Sequence, residues 1–134
     1  MLRGSCLCGR IRYEVDAELD GLVNCHCRTC RKAHSAAFNT SARVPRERFR
    51  WTAGESEVAG YESTPGKTRW FCSRCGSHLI AAWANQPHVV LRVGSLDDDP
   101  GAKPRVHIWT SQRAPWHEIT DALPQFGEAP PAAK

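Results

Sequence analysis

The seven cysteines of this 134-residue chain fall into three groups, and their spacing constrains the fold more than any other feature. Cys6 and Cys8 form a C-x-C pair. Cys25, Cys27 and Cys30 form a C-x-C-x-x-C cluster, and Cys72 and Cys75 form a C-x-x-C knuckle followed by Gly76. An odd count argues against a simple set of disulfides. Zinc takes four soft donors in a tetrahedron; a structural site closes all four positions and a catalytic site keeps one open. The pair and the knuckle together supply four sulfurs and the cluster supplies three. That arithmetic predicts two zinc ions per chain, one in a closed site and one with an open corner. Pairing of the cluster with the knuckle is a second partition that spacing leaves open. A redox dithiol is a third reading of the knuckle, but no βαβ pattern surrounds it.

Local geometry supports metal binding. Residues two apart in an extended segment face the same side, so Cys6 with Cys8, and Cys25 with Cys27, can each turn both sulfurs to one ion. Gly76 can take the positive φ that a turn around a metal often needs, and Gly9 eases a tight approach. A short helix is predicted around residues 29–37. Cys30 would return from its start, where unpaired backbone N–H groups and nearby Arg28, Arg31 and Lys32 favour a thiolate. By strand alternation His26 points away from the cluster. His34, four residues past Cys30, could reach and close the site from within the protein.

The rest of the chain reads as mainly β. Ile11, Tyr13 and Val15 alternate with Arg10, Arg12 and Glu14, the period of a half-buried strand. Residues 68–71, 78–83, 88–93 and 105–109 are short apolar or alternating runs bounded by turn-formers. Short strands separated by turns predict folded-over antiparallel sheets rather than βαβ units. One domain is expected over residues 1–126, with 127–134 a flexible tail rich in proline and alanine. The apolar fraction of 41% is enough for a core. No apolar run approaches the ~20 residues of a membrane span, and no signal-like h-region is visible. With metal-bound thiolates, a reducing cytoplasm is the expected location. The formal charge of +4 allows weak electrostatic attachment to anions, but no recognition-helix pattern accompanies the knuckles, so no specific nucleic-acid binding is expected.

Gly4-Ser5-Cys6-Leu7-Cys8-Gly9, Cys25-His26-Cys27-Arg28-Thr29-Cys30-Arg31-Lys32 and Phe71-Cys72-Ser73-Arg74-Cys75-Gly76-Ser77 resemble the motifs of the glutathione-dependent formaldehyde-activating enzyme family, also called the GFA or CENP-V domain. Pro104-Arg105-Val106-His107-Ile108-Trp109, Ala114-Pro115-Trp116 and Leu123-Pro124-Gln125-Phe126 agree with it, so the resemblance runs over nearly the whole chain. It implies a β-tent of folded-over sheets with little helix and two zinc ions. Cys6, Cys8, Cys72 and Cys75 would hold the structural zinc; Cys25, Cys27 and Cys30 would hold the catalytic one. It also implies a carbon–sulfur lyase activity joining glutathione to formaldehyde, although a fold family fixes sites better than substrates.

The expected function is therefore a zinc-dependent lyase acting on a small thiol such as glutathione and a carbonyl such as formaldehyde. A non-enzymatic thiol carrier and a zinc-stabilised binding module for protein or nucleic acid are the alternatives; a closed fourth position would favour the last. Arg28, Arg31 and Lys32 are candidates to hold the carboxylates of an anionic thiol. Ser5, Ser73 and Ser77 are expected to donate to metal-bound sulfurs. His78, His88, His107 and His117 are scattered singly and read as packing or surface residues.

Overall fold

The computed structural model describes residues 1–130. Its fold is mainly β. The strands are β1 (Leu2–Ser5), β2 (Arg12–Val15), β3 (Leu22–Cys25), β4 (Asn39–Pro45), β5 (Phe49–Ala53), β6 (Val58–Thr64), β7 (Lys67–Cys72), β8 (His78–Trp83), β9 (His88–Arg92) and β10 (Pro104–Ile108). A single α-helix among the described residues, α1, covers Arg28–His34. No helix of the described residues is long and apolar enough to cross a membrane. The chain divides into two compact units, one of residues 1–20 with 42–102 and one of residues 21–41 with the chain from 103 on.

The first unit holds two antiparallel arrays. In one, β2 lies between β1 and β5. The alternation read from the sequence is visible there: Ile11, Tyr13 and Val15 are buried, each at most 1% exposed. The β1–β2 pair brings Gly4 opposite Tyr13. A Cβ on Gly4 would come within 2.1 Å of the tyrosine ring, so only glycine lets the ring lie there. The other array runs β9-β8-β7-β6. Its centre is β8, whose Leu79, Ile80, Ala81 and Ala82 are all buried. That continuous run is what a strand covered on both faces requires.

The second unit is built around β3. β4 pairs with it antiparallel, with Cys25 opposite Asn39. β10 pairs with it in parallel, with His107 beside Asn24 and Ile108 beside Cys25. This pair runs parallel within a fold whose other described strand pairs are antiparallel. Parallel neighbours need a long connection, and nearly eighty residues separate these two strands. The chain then passes along β10 again: the His107 N–H donates to the Pro124 carbonyl and the Phe126 N–H to the His107 carbonyl, both at 2.9 Å. Further along, the Gly127 and Glu128 carbonyls accept from Ser111 and Trp109. Of the tail expected over 127–134, residues 131–134 lie outside the described residues.

Candidate metal centres

In the first unit the turn after β1 carries Cys6 and Cys8, and β7 ends on Cys72 with Cys75 in the turn that follows. Gly9 donates its N–H to the Cys6 carbonyl at 3.0 Å and Gly76 to the Cys72 carbonyl at 2.8 Å. Both glycines sit at positive φ, 78° and 81°, the conformation that lets each knuckle close. The sulfurs of Cys6, Cys8, Cys72 and Cys75 lie within 4.8 Å of one another, with Cys6 and Cys8 at 3.5 Å and Cys8 and Cys72 at 3.9 Å. A tetrahedral ion with metal–sulfur bonds of about 2.3 Å needs sulfur–sulfur edges of about 3.8 Å, so the group fits a metal.

Donors surround these sulfurs. The Ile11 N–H points to Cys6 Sγ at 3.3 Å, and the Arg74 and Cys75 N–H groups to Cys72 Sγ at 3.3 and 3.4 Å. Ser77 Oγ lies 3.3 Å from Cys75 Sγ and accepts from the Leu7 N–H. The serine contact leads the influences that hold the Cys75 thiol down at about 5. Of the three serines expected to donate to sulfurs, Ser77 touches one, and the other two have carboxylate partners instead. Ser5 Oγ donates to Asp97 and Ser73 Oγ to Glu57. A carboxylate in reach is the stronger acceptor. Glu57 also accepts from Arg74 Nε at 2.9 Å, which ties the knuckle to the chain before β6.

The second group lies in the second unit. Cys25 ends β3, Cys27 is the N-cap of α1, and Cys30 is buried in its first turn. The three sulfurs lie within 4.8 Å of one another. Cys27 Sγ accepts from the Cys30 N–H at 3.3 Å, so a sulfur replaces the usual oxygen cap. The first turn has no acidic residue, and Arg31, Lys32 and His34 fill the last. Charge on the sulfurs therefore suits the positive end of the helix. The Cys25 thiol is strongly raised, by Cys27 and Cys30 first and then by burial. Thiols this close cannot all ionise unless a cation shares the site. Geometry and charge both fit a metal ion. Among the described residues, this group contains no histidine.

His26 turns away from the sulfurs, as alternation predicted. Its ring is fully buried, 5.0 Å from Phe38 and 5.9 Å from His117. Its Nε2 lies 2.8 Å from Nδ1 of His107. His107 Nε2 in turn lies 3.0 and 3.1 Å from the two oxygens of Asp121. Burial first, and His107 next, push His26 down to about 4; the His107 bond holds the Asp121 carboxyl below its usual range. In the sequence His107 stands alone among scattered histidines, and nothing marks out Asp121. No local spacing joins them to residue 26; the link needs β10 beside β3.

The cations around α1 line a shallow cavity of about 390 Å³ formed by Arg28, Arg31, Lys32, Ser35, Ala36 and Trp116. Arg28 directly follows Cys27, and Arg31 directly follows Cys30. Gln112 fixes this end of the helix: its Oε1 accepts from the Arg28 N–H at 2.8 Å and its carbonyl from Arg31 Nη1 at 2.9 Å. Trp109 sets up that approach by turning the chain in the left-handed region, at φ 57°. Trp116 is 70% exposed, so an indole edge and three cations face solvent with no carboxylate among the lining residues.

Residues 1–112 match the profile of the glutathione-dependent formaldehyde-activating enzyme family. The chain belongs to this family. A Halomonas elongata protein provisionally named a glutathione-dependent formaldehyde-activating enzyme is 33% identical over 89% of this chain and 81% of its own length. An uncharacterized lyase of Schizosaccharomyces pombe is 34% identical over 61% of this chain and 58% of its own length. A crystal structure of a Rhodobacter sphaeroides protein superposes with a TM-score of 0.62 over 76% of this chain and 97% of that one. At 24% identity that likeness speaks for the fold. Family membership agrees with the mainly β architecture and with two cysteine groups able to hold metal.

Proposed function

We propose that this GFA-family chain is a zinc-dependent carbon–sulfur lyase that joins a small anionic thiol, glutathione or a close analogue, to a small carbonyl such as formaldehyde. The observation that carries the reading is a group of three cysteines with no histidine, two of them followed directly in sequence by Arg28 and Arg31, which line a cavity walled by cations. In this reading Cys6, Cys8, Cys72 and Cys75 form the closed structural site, and Cys25, Cys27 and Cys30 form the open one. A zinc ion on three thiolates supplies a fourth position that prefers soft sulfur and lowers the pKa of a thiol placed there.

The chain's own residues do the remaining work. Cys27 both caps α1 and presents its sulfur to the site, so the helix and the site are ordered together. Arg28, Arg31 and Lys32 attract the carboxylates of the thiol, and arginine can do so with two parallel hydrogen bonds. Trp116 offers an apolar face along the same wall. In the forward reaction a sulfur–carbon bond forms as the carbonyl π bond breaks. The carbonyl oxygen takes up the proton that the thiol gave away, leaving an S-hydroxymethyl product; the lyase direction reverses each change. Three thiolates leave the ion a weaker Lewis acid than three imidazoles would, so the site suits handling of a thiolate better than polarising a carbonyl.

The test is turnover. Exchange between glutathione, formaldehyde and their adduct is followed by NMR with the zinc-loaded protein and with Cys27→Ser. Acceleration above the spontaneous exchange, lost in Cys27→Ser, is expected. Retention of glutathione without any acceleration would instead identify a thiol carrier.

A further inference from the structure

Asp121 lies beyond the residues matched by the family profile, which end at 112, yet it heads a hydrogen-bonded chain leading back to the arm between two sulfurs of the cluster. Its Oδ2 lies 3.0 Å from His107 Nε2, and His107 Nδ1 lies 2.8 Å from His26 Nε2. His26 Nδ1 is buried with no protein partner. The His26 backbone N–H is held as well, by the Ile108 carbonyl at 3.0 Å. Asp121 is itself fixed by the Leu123 N–H, which donates to its Oδ1 at 3.0 Å.

The order of donors follows from the end of the chain. An ionised carboxylate only accepts, so His107 carries hydrogen on Nε2. When both imidazoles are neutral, His107 Nδ1 accepts and His26 donates from Nε2. His26 Nδ1 is left without hydrogen. Side chain and backbone of His26 are thus both tied, and its two neighbours in sequence are Cys25 and Cys27.

We propose that Asp121 and His107 are positioning residues of the three-cysteine site: they lock His26 in the Nε2–H tautomer and so hold the Cys25-His26-Cys27 arm in place before the metal arrives. The inference rests on that group being a metal site, as read above. An arm already ordered does not lose its freedom on binding, so metal affinity gains. Groups hydrogen-bonded to the ligands themselves commonly change metal affinity about 10- to 100-fold; Asp121 acts through His107 and His26, so the low end of that range is expected.

The test uses the full chain with Asp121→Asn. Asp121 is exposed, so the substitution leaves the buried packing intact. An amide can turn its N–H₂ toward His107 and reverse the whole chain of donors. Two-bond proton–nitrogen NMR of the native zinc-loaded protein is expected to show both His107 and His26 protonated at Nε2. In Asp121→Asn, hydrogen should move toward His26 Nδ1. Chelator competition should show zinc held about tenfold more weakly at the three-cysteine group, with the four-cysteine group unchanged as an internal reference. A native protein with hydrogen on His26 Nδ1 overturns the inference, and that measurement needs no variant. So does an Asp121→Asn protein with unchanged tautomers, with unchanged affinity, or with both groups weakened alike. A native three-cysteine group that takes no zinc overturns this inference together with the reading beneath it. One that takes zinc but ignores Asp121→Asn overturns the inference alone.

Discussion

At the scale of single residues, the first unit depends on one close fit. Tyr13 is 1% exposed, lies against Phe49 and Trp51, and shares a 2.6 Å hydrogen bond with Ser95 Oγ. Gly4 leaves the space its ring occupies. Burial pushes the phenol up to about 12, above the ~10 of an unfolded chain. Between those values the folded state holds more protons than the unfolded one, so stability falls as pH rises from about 10 to about 12. Below pH 10 the contribution is complete. Tyr13→Phe loses a hydrogen bond, about 1 kcal/mol, and loses this alkaline sensitivity too. Denaturant melts of the two proteins should therefore differ near neutrality and draw together above pH 10. A constant gap across that range would show that Tyr13 does not ionise on unfolding.

At the scale of elements, α1 matters most, because it carries one sulfur in its first turn, is capped by a second, and presents three cations. Arg28 and Lys32 are one turn apart and exposed, while Arg31 also braces Gln112. Replacing Arg28 and Lys32 together by alanine should therefore leave the helix in place and weaken glutathione binding. A loss of about tenfold or less, shrinking as salt is raised, is the expected effect of charges screened by solvent. Calorimetry at two ionic strengths checks it; equal affinity in variant and native protein would remove the cationic wall from the account. The helix was legible in the sequence because its cysteines and basic residues mark both of its ends. β2, β7, β8, β9 and β10 were legible from alternation or apolar runs. β6 was not: Gly60, Tyr61 and Glu62 are exposed, and an edge strand with one partner need not bury a regular face. β1 (Leu-Arg-Gly-Ser) and β3 (Leu-Val-Asn-Cys) carry neither a clean alternation nor an apolar run. The parallel pairing of β10 with β3 joins segments far apart in sequence, and the His26–His107–Asp121 chain depends on it. The cysteine groups were legible for the opposite reason: metal spacing is local, and only the union of the two pairs is a long-range fact.

At the scale of the whole molecule, the two cysteine groups differ in what they connect. The four-cysteine group joins residues 6–8 to residues 72–75, closing a long loop whose ordering the metal would help to stabilise. The three-cysteine group spans six residues and closes almost nothing. Cys72→Ser should therefore unfold or aggregate the protein. Cys27→Ser should release one zinc and keep most of the far-ultraviolet circular dichroism. Equal collapse in both would count against two roles. The proposed function requires that the three-cysteine ion keep a fourth position which the protein leaves to a thiol. The direct measurement is the visible absorption of the cobalt-substituted protein during addition of glutathione. The cobalt–thiolate bands of the three-cysteine site should change and saturate. The change should strengthen as pH approaches the free thiol's ~8.5, because binding releases a proton, and should be missing in Cys27→Ser. A spectrum indifferent to every small thiol, together with loss of that metal in His34→Ala, would mean that the protein closes the site itself and would contradict the account.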